Sequence, residues 1–326
     1  MNAAAAAFAS LPGVSPEQAE AMAARAARRG TVVLTRHDPR FPIPDGIPHA
    51  PAVLLVEGDR PEVLSAPRVA VVGTRAASVH GLADAWELGA FLGAAGVSVV
   101  SGLAIGIDGA AHHGALQAAQ AAEQRDGDGV AGPIGVVATG LDVVYPRRHR
   151  ALFERVRRYG VLVAEQPFGV APARGRFPVR NRIIAALADL VVVVEATLAG
   201  GSRITAERAL DYGRPVFAIP GSRRNPAAAG CNALLADGAH PLLDPSDLLL
   251  ALGMTPRLDR GWSAPPPSAP LSSAASTVKQ ALGGEPAHPD QLAARTNLDP
   301  GQVALAVEEL VAAGSARRDR GFIWPL

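Results

Sequence analysis

The chain has a single cysteine, Cys231, which excludes an internal disulfide, a CxxC pair and a cysteine-based zinc site. Its eight histidines show neither HxxxH nor HExxH spacing, so no metal is expected. Lys279 is the only lysine, and nearly every basic group is therefore an arginine, a planar fork suited to phosphate oxygens and aromatic faces. No run of 18 apolar residues occurs and no basic residue precedes Arg25, so neither a membrane span nor a basic-headed leader is expected. A lone thiol without a span fits a cytoplasmic location. With a net charge of +1, any attraction to an acidic partner must come from local clustering.

What is present is an ordinary globular composition, 48% hydrophobic and 19% charged over 326 residues, enough for one sizeable domain and one or two small ones. Residues 1–60 read as a short helical unit, with Ser15 capping a helix opened by Pro16, followed by a proline-rich lead-in ending in a strand at Val53 to Val56. Residues 61–256 change to short β-branched runs separated by alanine-rich helical stretches: VAVV at 69, VSVV at 97, IGVVA at 134, VLVA at 161, LVVVVE at 190 and PVFAIP at 215. Continuous apolar strands are buried on both faces, which predicts an α/β fold, a Rossmann-like doubly wound parallel sheet with right-handed crossovers. Residues 257–272 have the Pro and Ser content of a linker. Residues 273–326 predict three helices and a two-stranded wing, a winged-helix module.

In a doubly wound sheet, ligands bind beyond the carboxyl ends of the strands. VAVVGTR places Gly73, Thr74 and Arg75 in the first such turn, with Arg75 over the crevice; without GxGxxG, dinucleotide binding is not expected and no cofactor is implied. In ATLAGGSRITAE, Ser202 is placed to cap a helix, which would bring Ser202, Arg203 and Thr205 to a positive helix end. Between Tyr145 and Arg182 stand ten arginines against two acids, a local charge of +8, with five aromatics. Arg147 to Arg158 reads as a helix with a solvated arginine face. RGRFPVRNR reads as a loop held by Gly and Pro, with Phe177 between Arg174 and Arg180. Arginines that track a backbone, with an aromatic for stacking, suit single-stranded nucleic acid without sequence preference. Asp108 and His112 lie one turn apart, and a helix-capping Asp108 beside histidines on an alanine-rich surface accounts for them better than a general base does.

Taken in order, VAVVGTR, SGLAIGIDGAAHHGAL, ATGLDVVYPRRHRALF, FPVRNRIIAALAD, GGSRITAERALDYGRPVFAIPG and GCNALLADGA resemble the DNA-processing protein A family (DprA, also called Smf) from about Asp38 to Ala239. The resemblance implies a non-enzymatic protein of natural transformation and recombination that binds and protects single-stranded DNA, dimerises and helps load the recombinase RecA. It implies that Arg75 is the family's GTR arginine, Arg174 the basic residue before its FPxRNR motif, and Phe177 the stacking phenylalanine. Arg180, Asn181 and Arg182 fall on the RNR positions, and Ser202 on the serine of its GS(L)IT turn. Arg203 stands where the family often has leucine, and the N-terminal unit is shorter than the sterile-alpha-motif-like domain of some members. For the dimer surface, Leu242, Leu248, Leu249 and Leu250 are the candidates in a leucine-rich segment. The winged-helix module sums to a charge of minus one, with RRDR its only basic run, which leaves a protein or duplex DNA contact open. The alternative is a Rossmann-like phosphoribohydrolase with Glu207 in its acidic position, but Arg203 and Ile204 replace the Gly and Thr of that GGxGTxxE motif.

Overall fold

Alternate residues of each β-branched run enter opposite faces of one sheet. In the computed structural model, the described residues are all but 1, 12, 125–130, 256–270, 284–285, 313–314, 320 and 326. They form two compact units, residues 1–256 and 257–326. The strands of the first unit are β1 (Val32–Thr35), β2 (Val53–Glu57), β3 (Arg68–Val72), β4 (Ser98–Ser101), β5 (Ile134–Val137), β6 (Val161–Ala164), β7 (Leu190–Val193), β8 (Val216–Ala218) and β9 (His240–Pro241). Their order is β1-β2-β6-β5-β4-β3-β7-β8-β9. Pairing is antiparallel from β1 to β6 and parallel from β6 to β9.

Chain direction across the sheet creates the crevice. From β3 the strands step outward to β6, then the chain returns and lays β7 on the other side of β3. That reversal is a topological switch point, where the loops beyond β3 and β7 diverge to opposite faces. On one face, Val69, Val71 and Val99 pack against Leu88 and Leu92 of α3 (Val79–Ala94) and Ile107 and Ala111 of α4 (Ile107–Glu123). On the other, Ala70, Val72 and Val193 pack against Ile183 and Leu187 of α6 (Arg176–Leu187), Ala206 of α7 (Gly201–Asp211) and Leu234 of α8 (Ala229–Ala236). Each fully buried Leu or Ile contributes roughly 1.5–3 kcal/mol, so both layers hold the sheet rigidly under the crevice.

Two expectations change. The N-terminal helices α1 (Ala3–Ala9) and α2 (Pro16–Arg29) are not a separate unit: Phe8, Ala19 and Ala23 share one core cluster with Leu162 of β6 and with Leu152, Phe153 and Val156 of α5 (Arg150–Tyr159). The chain directly after α2 supplies the edge strand β1, a run too short to stand out from its helical surroundings. Of the four leucines taken for a dimer surface, Leu242, Leu248 and Leu249 are buried in the chain's own core with Phe217 and Val192: Leu242 directly follows β9, its N–H bonded to Ala218 O, and Leu248 and Leu249 lie on α9 (Ser246–Ala251). Leu250 remains, 62% exposed.

In the second unit, α10 (Ser273–Leu282), α11 (Pro289–Thr296) and α12 (Pro300–Ala312) precede an antiparallel hairpin of β10 (Ala316–Asp319) and β11 (Phe322–Pro325). Val278, Leu282, Leu292, Val307, Leu310 and Ile323 make its core, and Ser272 caps α10 while donating to Glu309. Apart from Leu271 and Ser272, the expected linker lies outside the described residues, as do the side chains of Arg317 and Arg318 and all of Arg320.

Candidate nucleic-acid interface

The first turn beyond β3 is built on close backbone approach. Thr74 N–H donates to Glu195 O at 2.7 Å, and a Cβ on Gly73 would lie 2.5 Å from Ile107 Cγ1. The start of α4 comes equally close: Gly106 has φ +83°, and a side chain there would overlap Thr74 O. Below, the buried Glu195 carboxylate accepts from Ser78 N (2.8 Å) and Ser78 Oγ (2.6 Å), fixing the N-terminus of α3 to the end of β7. Thus β3, β7, α3 and α4 meet at a single turn, and Arg75 leaves it exposed to solvent.

Arg75 ends above Phe177, its guanidinium carbon 5.0 Å from the ring centroid, and Tyr145 lies on the same ring at 5.5 Å. Tyr145 is 41% exposed, so a planar group can reach this cluster from solvent. A cation over an aromatic face is worth about 0.5–1 kcal/mol at an exposed site, enough to bias the orientation of both side chains. The segment RGRFPVRNR is not a loop, as its Gly and Pro suggest. It enters α6 at Arg176, and Pro178 falls in the first turn, where its missing N–H costs no hydrogen bond.

Helical geometry then separates the candidate arginines. Arg180, one turn after Phe177, is 6% exposed, and its Nη1 donates to Gly102 O (2.8 Å) and to Val136 O. It therefore does not face the crevice as a phosphate ligand; it ties α6 to the ends of β4 and β5. Burial lowers its pKa to about 10, with the Asp108 charge opposing and Arg75 adding to the fall, so it stays charged at neutral pH. Burial pushes the Asp108 carboxyl up, against the pull of Arg180 and of the backbone at Ala104 and Gly102. Asp108 accepts from Gly102 N at 3.1 Å, and the N-cap of α4 is Gly106 rather than Asp108. His112 is fully buried, not on the surface, and burial lowers it to about 3, so it is neutral and no general base in contact with solvent.

Arg182 is bonded to the Glu165 carboxylate and to His49 O (2.7 Å), which largely neutralises it. Asn181 donates to Gly201 O at 3.1 Å and so joins α6 to the start of α7. Gly200, not Ser202, is the N-cap of α7; Ser202 lies inside the first turn with Oγ buried and without a hydrogen-bond partner. Arg203 folds back onto Leu198 O at 3.0 Å. Arg174 is exposed, and among the described residues neither Arg174 nor Arg75 is paired with a carboxylate. Among the described residues, Arg75 over Phe177 is thus a cation without a carboxylate partner, and so is Arg174, three residues before Phe177 in the chain. No group of three or more His, Cys, Asp or Glu that could hold a metal occurs among the described residues.

The family model for DNA recombination-mediator protein A matches residues 32–253, and that for the DprA winged helix domain matches residues 263–321. The chain belongs to the DprA family. A relative from Mycobacterium tuberculosis, named as a DNA processing protein DprA, is 39% identical over 90% of this chain and 77% of its own length. DprA of Streptococcus pneumoniae is 40% identical over 61% of this chain and 66% of its own. Among solved structures, DprA of S. pneumoniae superposes with a TM-score of 0.58 at 34% identity, covering 73% of this chain and 82% of that one. DprA of Helicobacter pylori, described for its single-stranded DNA binding mode, also gives 0.58, at 27% identity, covering 68% and 95%. The span matched to the DprA family holds every crevice residue named above. Tyr145 and Glu195 are the members of the site that sequence reasoning missed. Glu195 carried a signal, a carboxylate ending the apolar run LVVVV; Tyr145 was one aromatic among several in a basic stretch.

Proposed function

We propose that the crevice binds single-stranded DNA without sequence preference, protecting the strand and helping to load RecA on it in natural transformation and recombination. The observation that carries this reading is the Arg75–Phe177–Tyr145 cluster at the switch point, with, among the described residues, no carboxylate paired to Arg75 or to the exposed Arg174 three residues before Phe177 in the chain. Phosphates would be held by Arg75 and Arg174, and by the amides at the start of α7 around Ser202. Phe177 would stack on a base, an interaction worth about 1–3 kcal/mol that every base can make. Membership of a family whose H. pylori relative is described as binding single-stranded DNA supports the same ligand. The protein acts in this role as a binder, not an enzyme, and as a dimer.

The test is a titration of single-stranded and duplex DNA with wild type and with Arg75→Ala plus Arg174→Ala. Loss of single-strand affinity, with the salt slope shallower by about 1.4 for two lost contacts, is expected. RecA filament growth on the coated strand should slow in parallel. Equal loss on both DNA forms, or none, would place the site elsewhere.

A further inference from the structure

A second set of arginines lies on the same rim. The chain turns from Tyr145 through one 3-10 turn, Arg147–His149, into α5, which begins at Arg150. Within this turn only His149 points inward: its Nδ1 lies 2.9 Å from Leu103 O, one residue beyond the Gly102 carbonyl that holds Arg180. Arg147, Arg148 and Arg150 are exposed. The turn is thus pinned to the end of β4 by its one non-arginine side chain, and it starts two residues from the ring that meets Phe177.

A solvated arginine face normally has carboxylates interleaved, and elsewhere on this chain exposed arginines do pair, as in Arg25–Asp142, Arg40–Asp38, Arg157–Glu154 and Arg208–Asp211. No acid occurs between Tyr145 and Phe153, and among the described residues no carboxylate pairs with Arg147, Arg148 or Arg150. The nearest acid on the helix, Glu154, is bonded to Arg157 at 2.8 Å. Arg155, which packs across to His113 and Gln120 of α4, adds a further cation to the same helix. The first turn of α5 has no side-chain cap, so its amides and the helix dipole add to the positive potential.

We infer that Arg147, Arg148 and Arg150 form a second phosphate-binding segment, which carries the DNA strand out of the crevice along the start of α5. The inference rests on the single-strand reading of the crevice, and it adds a site size larger than the crevice alone supplies. Nucleotides next to the one stacked on Phe177 would lay their phosphates on this turn, with no base contacts required.

The experiment compares oligo-dT of increasing length against wild type, Arg147→Ala/Arg148→Ala/Arg150→Ala, the corresponding triple lysine variant, and Arg75→Ala/Arg174→Ala. For the triple alanine variant, affinity for the shortest binding oligomers should be unchanged. Its gain in affinity with length should stop earlier, and its salt slope on long oligomers should be shallower by about 2. Lysine should restore both, since a phosphate accepts a point charge. Thermal unfolding of each variant separates loss of charge from loss of fold. A triple alanine variant that keeps the wild-type length dependence and salt slope overturns the inference while leaving the crevice reading intact. Should the crevice pair be inert and the triple variant lose binding at every length, the turn is the primary site, and both the crevice reading and its extension fail.

Discussion

Charge alone does not determine what an arginine does, and α6 separates its arginines by helical position. Arg180 spends its donors on Gly102 O and Val136 O and faces Asp108, so its substitution should act first on stability. Arg180→Ala strands a buried carboxyl group and two carbonyls, and is expected to cost about 3–5 kcal/mol in urea unfolding at neutral pH. Arg180→Lys should recover only part, because one ammonium lacks the fork that spans both carbonyls. Single-strand affinity should fall with the same ranking, through the displaced Phe177. If Arg180→Ala unfolds like wild type yet fails to bind, Arg180 is a direct ligand and not a positioning residue. The sequence marks Arg75 well, because a residue just after a buried strand must emerge at the carboxyl end. It cannot separate Arg180 from Arg174, because which arginine turns inward depends on where β4 and β5 end in space.

At the scale of elements, the six β-branched runs from 69 to 218 are strands, since a run apolar on both faces has no other stable place in a layered α/β domain. Legibility fails where local and tertiary preferences part. RGRFPVRNR carries Gly and Pro, yet becomes helical because Pro178 falls in the first turn and Ile183, Ile184 and Leu187 anchor the later turns in the core. TVVLT is short and follows a helix, so β1 takes shape only by pairing with β2. Where elements meet, the decisive residue is Gly106, which joins β4 to α4 at φ +83° and leaves room for Thr74 O. Gly106→Ala must strain the backbone and push the Arg75 turn outward. It should cost about 1–3 kcal/mol for the backbone alone, and weaken single-strand binding more than Gly201→Ala, a site with open space around it. Matched urea and binding titrations of the two variants check this; equal behaviour would mean that the close approach at Gly106 does not hold the turn.

On the scale of the whole molecule, the sheet presents its crevice at the carboxyl ends of the strands, and among the described residues no strand pairs with the outer side of β9. An unpaired edge invites association, and proteins usually cover or charge it. Here the residues beside it are apolar: Leu243 is 78% exposed and Leu250 62%, while Leu242, Leu248 and Leu249 anchor the same segment from below. Two exposed leucines on a segment anchored to the core at the lateral edge of the sheet are a suitable centre for a contact between two copies of this chain. Wild type is therefore expected to sediment as a dimer at micromolar concentration, and Leu243→Glu/Leu250→Glu as a monomer, since two buried, unpaired carboxylates per copy are incompatible with a closed interface. Because the crevice is complete within one copy, the monomeric variant should bind short oligo-dT as wild type does and lose only the avidity of two linked sites on long strands. A wild type that is monomeric at that concentration would remove the dimer, and a double variant that remains dimeric would move its interface to another face.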